Sequence, residues 1–200
     1  MRGRDPLQAA LDLVSWGAPV LSVVTERAHF GGSPELLQQI ATKTQVPVLR
    51  KDFIRDVAGL RETAALGAQA VLLIAAKMDE KTLTRLYEAA QELDLEPLVE
   101  VHTTEEMAFA KTLEPRLLGI NNRNIATLER DEGGPARTRL LAEERPTEAL
   151  LISESGLLSP EDVRQAVLAG ADAVLVGTAL WQAADMAVFY HELQEAMAHG

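Results

Sequence analysis

Seven short, nearly uninterrupted apolar runs constrain how this chain can fold more than any other feature. They are Pro19 to Val24, Val46 to Leu49, Ala70 to Ala76, Pro97 to Val101, Leu117 to Ile120, Ala149 to Ile152 and Ala173 to Val176. A strand with one wet face alternates apolar with polar, whereas a strand apolar throughout is buried on both faces, as in a parallel sheet covered by helices. Amphipathic segments lie between the runs. Ser33-Pro34-Glu35 and Ser159-Pro160-Glu161 each place a capping oxygen before a proline at the first helical position, and Thr103 with Glu106 has capping-box spacing. Gly67-Ala-Gln-Ala-Val-Leu72 and Gly170-Ala-Asp-Ala-Val-Leu175 repeat one joint, in which a glycine ends a helix and an apolar strand follows at once. Gly17-Ala18 is a weaker third copy.

The pattern gives about seven strands and eight helices, from a helix near Pro6 to Trp16 to one near Asp185 to Met197. That is one strand short of eight pairs, and 200 residues is short of the ~250 usual for a (β/α)₈ barrel. The expected fold is therefore an α/β, TIM (β/α)8-type parallel barrel that is incomplete at its first strand, with residues 1–200 forming a single phosphate-binding domain. An open doubly wound sheet is the alternative, but no Gly-x-Gly-x-x-Gly turn follows any strand. The irregular stretch from about Ala126 to Arg137, containing Gly133-Gly134-Pro135, is expected to cover a substrate.

Composition removes several classes of function. Hydrophobic residues are 47% and charged residues 24% of the chain, enough for one core that buries about 70% of the unfolded surface. Nineteen Lys and Arg against thirty Asp and Glu leave a net charge of −11, which repels a polyanion, so nucleic acid is not an expected partner. With no cysteine there is no disulfide, thiolate chemistry or sulfur-ligated metal. No stretch approaches the ~18 apolar residues of a membrane span, and the start has no signal-peptide pattern, so a cytoplasmic protein with no membrane partner is expected.

In a parallel barrel the chemistry sits at the C-terminal ends of the strands. The polar residues there are Lys51 after Val-Leu-Arg, Glu100 within Leu-Val-Glu-Val-His, Asn121 after Leu-Gly-Ile, and Glu154 after Leu-Ile-Ser. On neighbouring strands they would bring a lysine, two carboxylates and an amide together, a set suited to proton transfer on a carbonyl compound. Each also has a purely structural explanation: a strand-end charge pair for Lys51, a buried salt bridge for Glu100, turn formation for Asn121 together with Asn122, loop hydrogen bonding for Glu154. Ser155-Gly156 and Gly177-Thr178 follow the last two strands, where such barrels hold phosphate on backbone N–H groups, so a phosphorylated small molecule is the expected substrate. His102 shares a strand face with Glu100, but no second histidine has matching spacing and no metal is expected. Phe30 and Phe53 fall just beyond strand ends, where a ring could stack on a planar substrate or pack into the core.

These residues bring the chain close to a known family. Leu21-Ser-Val-Val-Thr-Glu26 with Phe30-Gly-Gly-Ser33, Pro47-Val-Leu-Arg-Lys-Asp-Phe-Ile54, Leu98-Val-Glu-Val-His102, Gly119-Ile-Asn-Asn-Arg-Asn124, Ile152-Ser-Glu-Ser-Gly156 and Gly170-Ala-Asp-Ala-Val-Leu-Val-Gly177 resemble, in order, the indole-3-glycerol phosphate synthase family of tryptophan biosynthesis. The resemblance implies a lyase needing no cofactor, which closes the indole ring of 1-(2-carboxyphenylamino)-1-deoxyribulose 5-phosphate with loss of carbon dioxide and water. It implies Lys51 as general acid at the ketose carbonyl, Glu100 as the carboxylate of the later proton transfers, and Asn121 as the residue orienting the hydroxyl groups, with Arg123 supporting the adjacent loop. Glu154 and Ser155 match polar contacts near the ribulose, Gly156, Gly177 and Thr178 a phosphate cradle, and Phe30 and Phe53 the surroundings of the anthranilate ring.

The family's first strand, with its Glu-x-Lys pattern and following Ser-Pro-Ser loop, has no counterpart in these 200 residues, and Glu132 to Ala136 departs from the usual loop. A barrel short of a strand leaves two edges to be covered by self-association, a partner chain or a rearranged terminus. Losing a substrate-positioning lysine costs on the order of a few kcal/mol of anion stabilisation, so family membership and full turnover are separate claims. The alternatives are a non-catalytic paralogue binding a phosphorylated metabolite and another sugar-phosphate barrel enzyme. The second leaves Asn121-Asn-Arg-Asn124 unexplained.

Overall fold

A computed structural model describes residues 3–123 and 134–200, which fall into two compact units, 3–99 and 100–200. In the first unit a helix α1 (Pro6–Ser15) precedes β1 (Leu21–Val24), α2 (Pro34–Lys43), β2 (Val48–Lys51), α3 (Val57–Ala65), β3 (Ala70–Ile74) and α4 (Glu80–Glu92). Strand β4 (Glu96–Val101) runs from the end of the first unit into the start of the second. The second unit continues with α5 (Thr104–Lys111), β5 (Leu117–Asn121), α6 (Ala136–Leu141), β6 (Leu150–Glu154), α7 (Pro160–Leu168), β7 (Ala173–Leu175), α8 (Thr178–Gln182) and α9 (Met186–Ala198). The described residues thus carry the expected seven strands, and nine helices where about eight were expected. The extra one is the single turn of α8.

Every registered pairing is parallel. In the first unit β1 pairs β2 from Leu21↔Val48 to Val24↔Lys51, and β2 pairs β3 at Leu49↔Ala70 and Arg50↔Val71. In the second, β5 pairs β6 from Leu117↔Leu150 to Asn121↔Glu154, and β6 pairs β7 from Ile152↔Ala173 to Glu154↔Leu175. The apolar runs explain the burial. All five residues of β3 are buried, as a strand covered on both faces requires. Helix α4 buries Leu83, Leu86, Tyr87 and Ala90, the i, i+3, i+4, i+7 stripe of an amphipathic helix.

Helix starts are fixed by short polar side chains. Ser33 Oγ accepts from the Leu36 N–H at 3.1 Å, and Asp56, Asp79 and Asp185 cap α3, α4 and α9 in the same way. At α7 the capping box is complete, with Ser159 Oγ accepting from the Asp162 N–H and the Asp162 carboxylate accepting from the Ser159 N–H. At α5 only half of the expected box forms. Thr103 Oγ1 accepts from the Glu106 N–H, but the Glu106 carboxylate turns instead to the His102 N–H at 2.6 Å. The repeated helix-to-strand joint takes the predicted form, since Gly67 and Gly170 stand at φ +86° and +102°, a conformation costly for residues with a Cβ.

Removing the fully buried Leu86 side chain as Leu86→Ala is expected to cost about 2–5 kcal/mol of stability, while Leu168→Ala, at a leucine 71% exposed, changes it by less than about 0.5 kcal/mol. Urea midpoints of the two variants check this ordering.

Candidate active site

In the first unit the site residues are positioned by Arg50. Its guanidinium is buried and fully engaged: Nε donates to Thr25 Oγ1 at 2.9 Å, Nη1 to Thr63 Oγ1 at 3.2 Å, and Nη2 to Asp52 Oδ2 at 3.1 Å, with Glu62 Oε2 at 2.8 Å. Asp52 in turn accepts from Thr25 Oγ1 at 2.5 Å and from the Phe53 N–H at 2.8 Å. Thr63 and Glu62 belong to α3, so Arg50 stands on the helix-covered face of β2. Successive side chains of a strand point to opposite faces, so Lys51, the last residue of β2, stands on the other face. Asp52, the neighbouring carboxylate, is taken up by Arg50, Thr25 and the Phe53 amide.

Phe30 and Phe53 lie beyond β1 and β2 with ring centroids 6.3 Å apart and planes tilted by 52°. Phe30 is 43% exposed, Phe53 is half-buried, and Lys77 Nζ stands 5.8 Å from the Phe53 ring centre. The pair is therefore accessible rather than part of the core. Glu26 builds the loop that presents Phe30: its carboxylate accepts from the N–H groups of Ala28 (3.0 Å), His29 (2.7 Å) and Phe30 (3.0 Å), and faces His29 Nδ1 at 3.1 Å. Desolvation pushes the Glu26 carboxyl up, but the hydrogen bonds from the backbone and ring of His29 and from the amides of Phe30 and Ala28 outweigh it. Its pKa is held below the ordinary glutamate value.

The second unit repeats the two-faced arrangement. Asn121 and Glu154 are register partners at the ends of β5 and β6, side by side on one face, and both are fully buried. Their neighbours face α6. Ser153 Oγ lies 2.7 Å from Thr138 Oγ1, and Asn122 ties the layers together, donating from Nδ2 to Ser153 Oγ and to the carbonyls of Glu154 and Ser155. Asn122 Oδ1 accepts from the N–H and hydroxyl of Thr138 at 3.0 and 3.1 Å. Asn122 thus shapes the scaffold, while Asn121 occupies the opposite face and its Oδ1 accepts from the Arg123 N–H at 2.9 Å.

Glu100, in β4, is also fully buried, with Oε1 3.5 Å from His102 Nε2. Arg123 follows β5, and among the described residues its buried Nε has no hydrogen-bond partner. Beyond β6 the chain bends through Ser155 at φ +60° and Gly156 at φ +71°. A serine in that region is uncommon, and such strain concentrates at functional turns. Gly177 and Thr178 are exposed at the start of α8. Most of the loop expected to cover a substrate, residues 124–133, lies outside the described residues.

Two supporting networks join residues far apart in the sequence. Arg50 reaches Thr25 across 25 positions, and Asn122 reaches Thr138 and Ser153 across 16 and 31. Glu106 was legible only as a cap. Among the described residues no group of three His, Asp or Glu side chains is placed to hold a metal ion, and no helix is long and apolar enough to cross a membrane.

The family model for indole-3-glycerol phosphate synthase matches residues 2–193. The indole-3-glycerol phosphate synthase of Kineococcus radiotolerans is 44% identical over 195 residues, covering 98% of this chain and 70% of that protein. That of Pyrococcus furiosus is 40% identical over 196 residues, covering 98% and 85%. Among solved structures, 3-hexulose-6-phosphate synthase from Salmonella typhimurium superposes with a TM-score of 0.79 at 18% identity, over 97% of this chain and 95% of that one. Thiamine phosphate pyrophosphorylase from Pyrococcus furiosus gives 0.73 at 17% identity, over 98% and 91%. At such identity these two likenesses speak for the fold alone, which is α/β and TIM-like.

Asn122→Ala strands the Thr138 N–H and removes the tie to β6. It is expected to lower stability by about 2–4 kcal/mol, against less than about 0.5 kcal/mol if the network is incidental, as read from urea unfolding. Because its folded pKa is depressed, Glu26 contributes stability above the ordinary glutamate range, and that contribution is lost as pH falls through the lower folded value. The amide resonances of Ala28, His29 and Phe30 are expected to titrate together with a midpoint below that of an ordinary glutamate. A midpoint at or above it contradicts the carboxylate's role in the loop.

Proposed function

The chain belongs to the indole-3-glycerol phosphate synthase family, and we propose that it performs that family's ring closure with the residues placed above. The substrate is 1-(2-carboxyphenylamino)-1-deoxyribulose 5-phosphate. Lys51 donates a proton to the ketose carbonyl as the aromatic carbon attacks it, a transfer of the kind worth roughly 10²–10⁴ in rate. Carbon dioxide leaves to restore the ring. Glu100 then serves the proton transfers that accompany loss of water, Asn121 and Glu154 hold the substrate's hydroxyl groups, and Ser155 contributes a further polar contact there. Arg123, directly after β5, takes the supporting role that the resemblance implies.

The observation that carries this reading is the pairing of Asn121 with fully buried Glu154 on the face turned away from α6. A buried carboxylate is expensive, so it is retained for a partner or for chemistry, and a strand end facing away from the helices is where a barrel does its chemistry. The accessible Phe30 and Phe53 pair suits the anthranilate ring, which offers an aromatic face to stack on. Gly156, Gly177 and Thr178 are the phosphate contacts. Neither the φ of −120° at Gly177 nor its surroundings demand glycine, since a Cβ built there meets nothing within 4 Å among the described residues, and the open space suits an anion on the backbone. We place this chemistry in the cytoplasm.

Turnover of the purified chain, followed by indole fluorescence, tests the reading. The wild type is expected to form product and Lys51→Ala to lose at least about 10²-fold in kcat. A folded wild-type chain that forms none contradicts it.

A further inference from the structure

The side chain that the reading above leaves unused is His102. It is 8% exposed, and among the described residues neither buried ring nitrogen makes a hydrogen bond, an arrangement a fold rarely keeps unless the ring has work to do. Each nitrogen nevertheless faces a carboxylate. Nε2 lies 3.5 Å from Glu100 Oε1, and Nδ1 lies 3.4 Å from Glu106 Oε2. The same Glu106 oxygen accepts the His102 backbone N–H at 2.6 Å. Glu106 has forgone the capping box that its spacing from Thr103 allowed, so its carboxylate is committed to His102 from both the backbone and the ring side.

Resting on the proposed role of Glu100, we propose that His102 is a positioning residue: its Nε2–H fixes the Glu100 carboxylate through Oε1, and Glu106 holds the ring in place. The order carboxylate, imidazole, carboxylate is that of a reacting group steered by a base that is itself oriented by a third group. A separation of 3.5 Å is long for a hydrogen bond and shortens when substrate immobilises the carboxylate, as such contacts commonly do on forming the reactive complex.

Three substitutions separate positioning from packing. His102→Leu fills similar space and offers no donor, His102→Asn places its amide near the Nδ1 position, and His102→Gln places an N–H near Nε2. His102→Leu and His102→Asn are expected to lose 10- to 100-fold in kcat with KM within 2-fold of wild type, and His102→Gln to recover most of the loss. In a Glu100→Gln background, His102→Leu is expected to have no further effect, since it acts through the group already removed. Equal losses in all three variants, or an undiminished loss in the Glu100→Gln background, overturn the proposal. The contact is also read without turnover, from the ring ¹⁵N resonances of the four histidines. Glu100→Gln is expected to move the Nε2 signal of His102, and Glu106→Gln the Nδ1 signal. An unmoved Nε2 signal overturns the proposal even if the wild type is active, and a moved one upholds the contact even if the wild type proves inactive.

Discussion

The alternation of side chains at the C-terminal end of each strand is the constraint on which the rest of the structure depends. One residue of each consecutive pair is held against the helices, which leaves the next no choice but the opposite face. Arg50, bound to α3 through Thr63 and Glu62, sets Lys51 in this way. Ser153, bound to Thr138 of α6, sets Glu154, and the register Asn121↔Glu154 carries the arrangement to β5. A slip of one residue in either strand would exchange the helix-covered residues for those of the opposite face at every position.

The same constraint accounts for the polar residues that a core of this kind would otherwise reject. Arg50, Asn122, Thr138 and Ser153 are buried because each has several partners with ordinary geometry, which offsets the cost of leaving water. Glu100 and Glu154 are buried carboxylates at strand ends. Replacing such groups with apolar residues is often neutral or stabilising, so their presence points to selection for something other than stability. The helix-covered face and the face opposite it are thus built from the same strands but answer to different requirements.

Much of this was legible in the sequence. The seven strands were, because continuous apolar runs have few alternatives to double burial. Their ends were less so: the second run was expected to stop at Leu49, yet β2 begins at Val48 and reaches Lys51, because pairing with β1 extends to Val24↔Lys51. In the same way Asn121 and Glu154 are the last residues of their strands rather than the first residues beyond them. Polar side chains there read as loop, but the parallel ladder fixes the backbone whatever the side chain. Ser33 and Ser159 capped as expected since capping is local. Glu106 had the spacing of a capping box and was diverted by a neighbour four residues away. The Arg50 and Asn122 networks join residues that only the fold brings together.

The central claim is that the faces opposite Arg50 and Ser153 are where ligand binds. It is tested most directly by adding indole-3-glycerol phosphate to the isotopically labelled chain and following its side-chain and amide resonances. The account predicts shifts at Lys51, Asn121, Glu154 and Gly177, with the side chains of Arg50 and Thr138 unmoved. Shifts confined to Arg50 and Thr138, or to the helix surfaces, would contradict it.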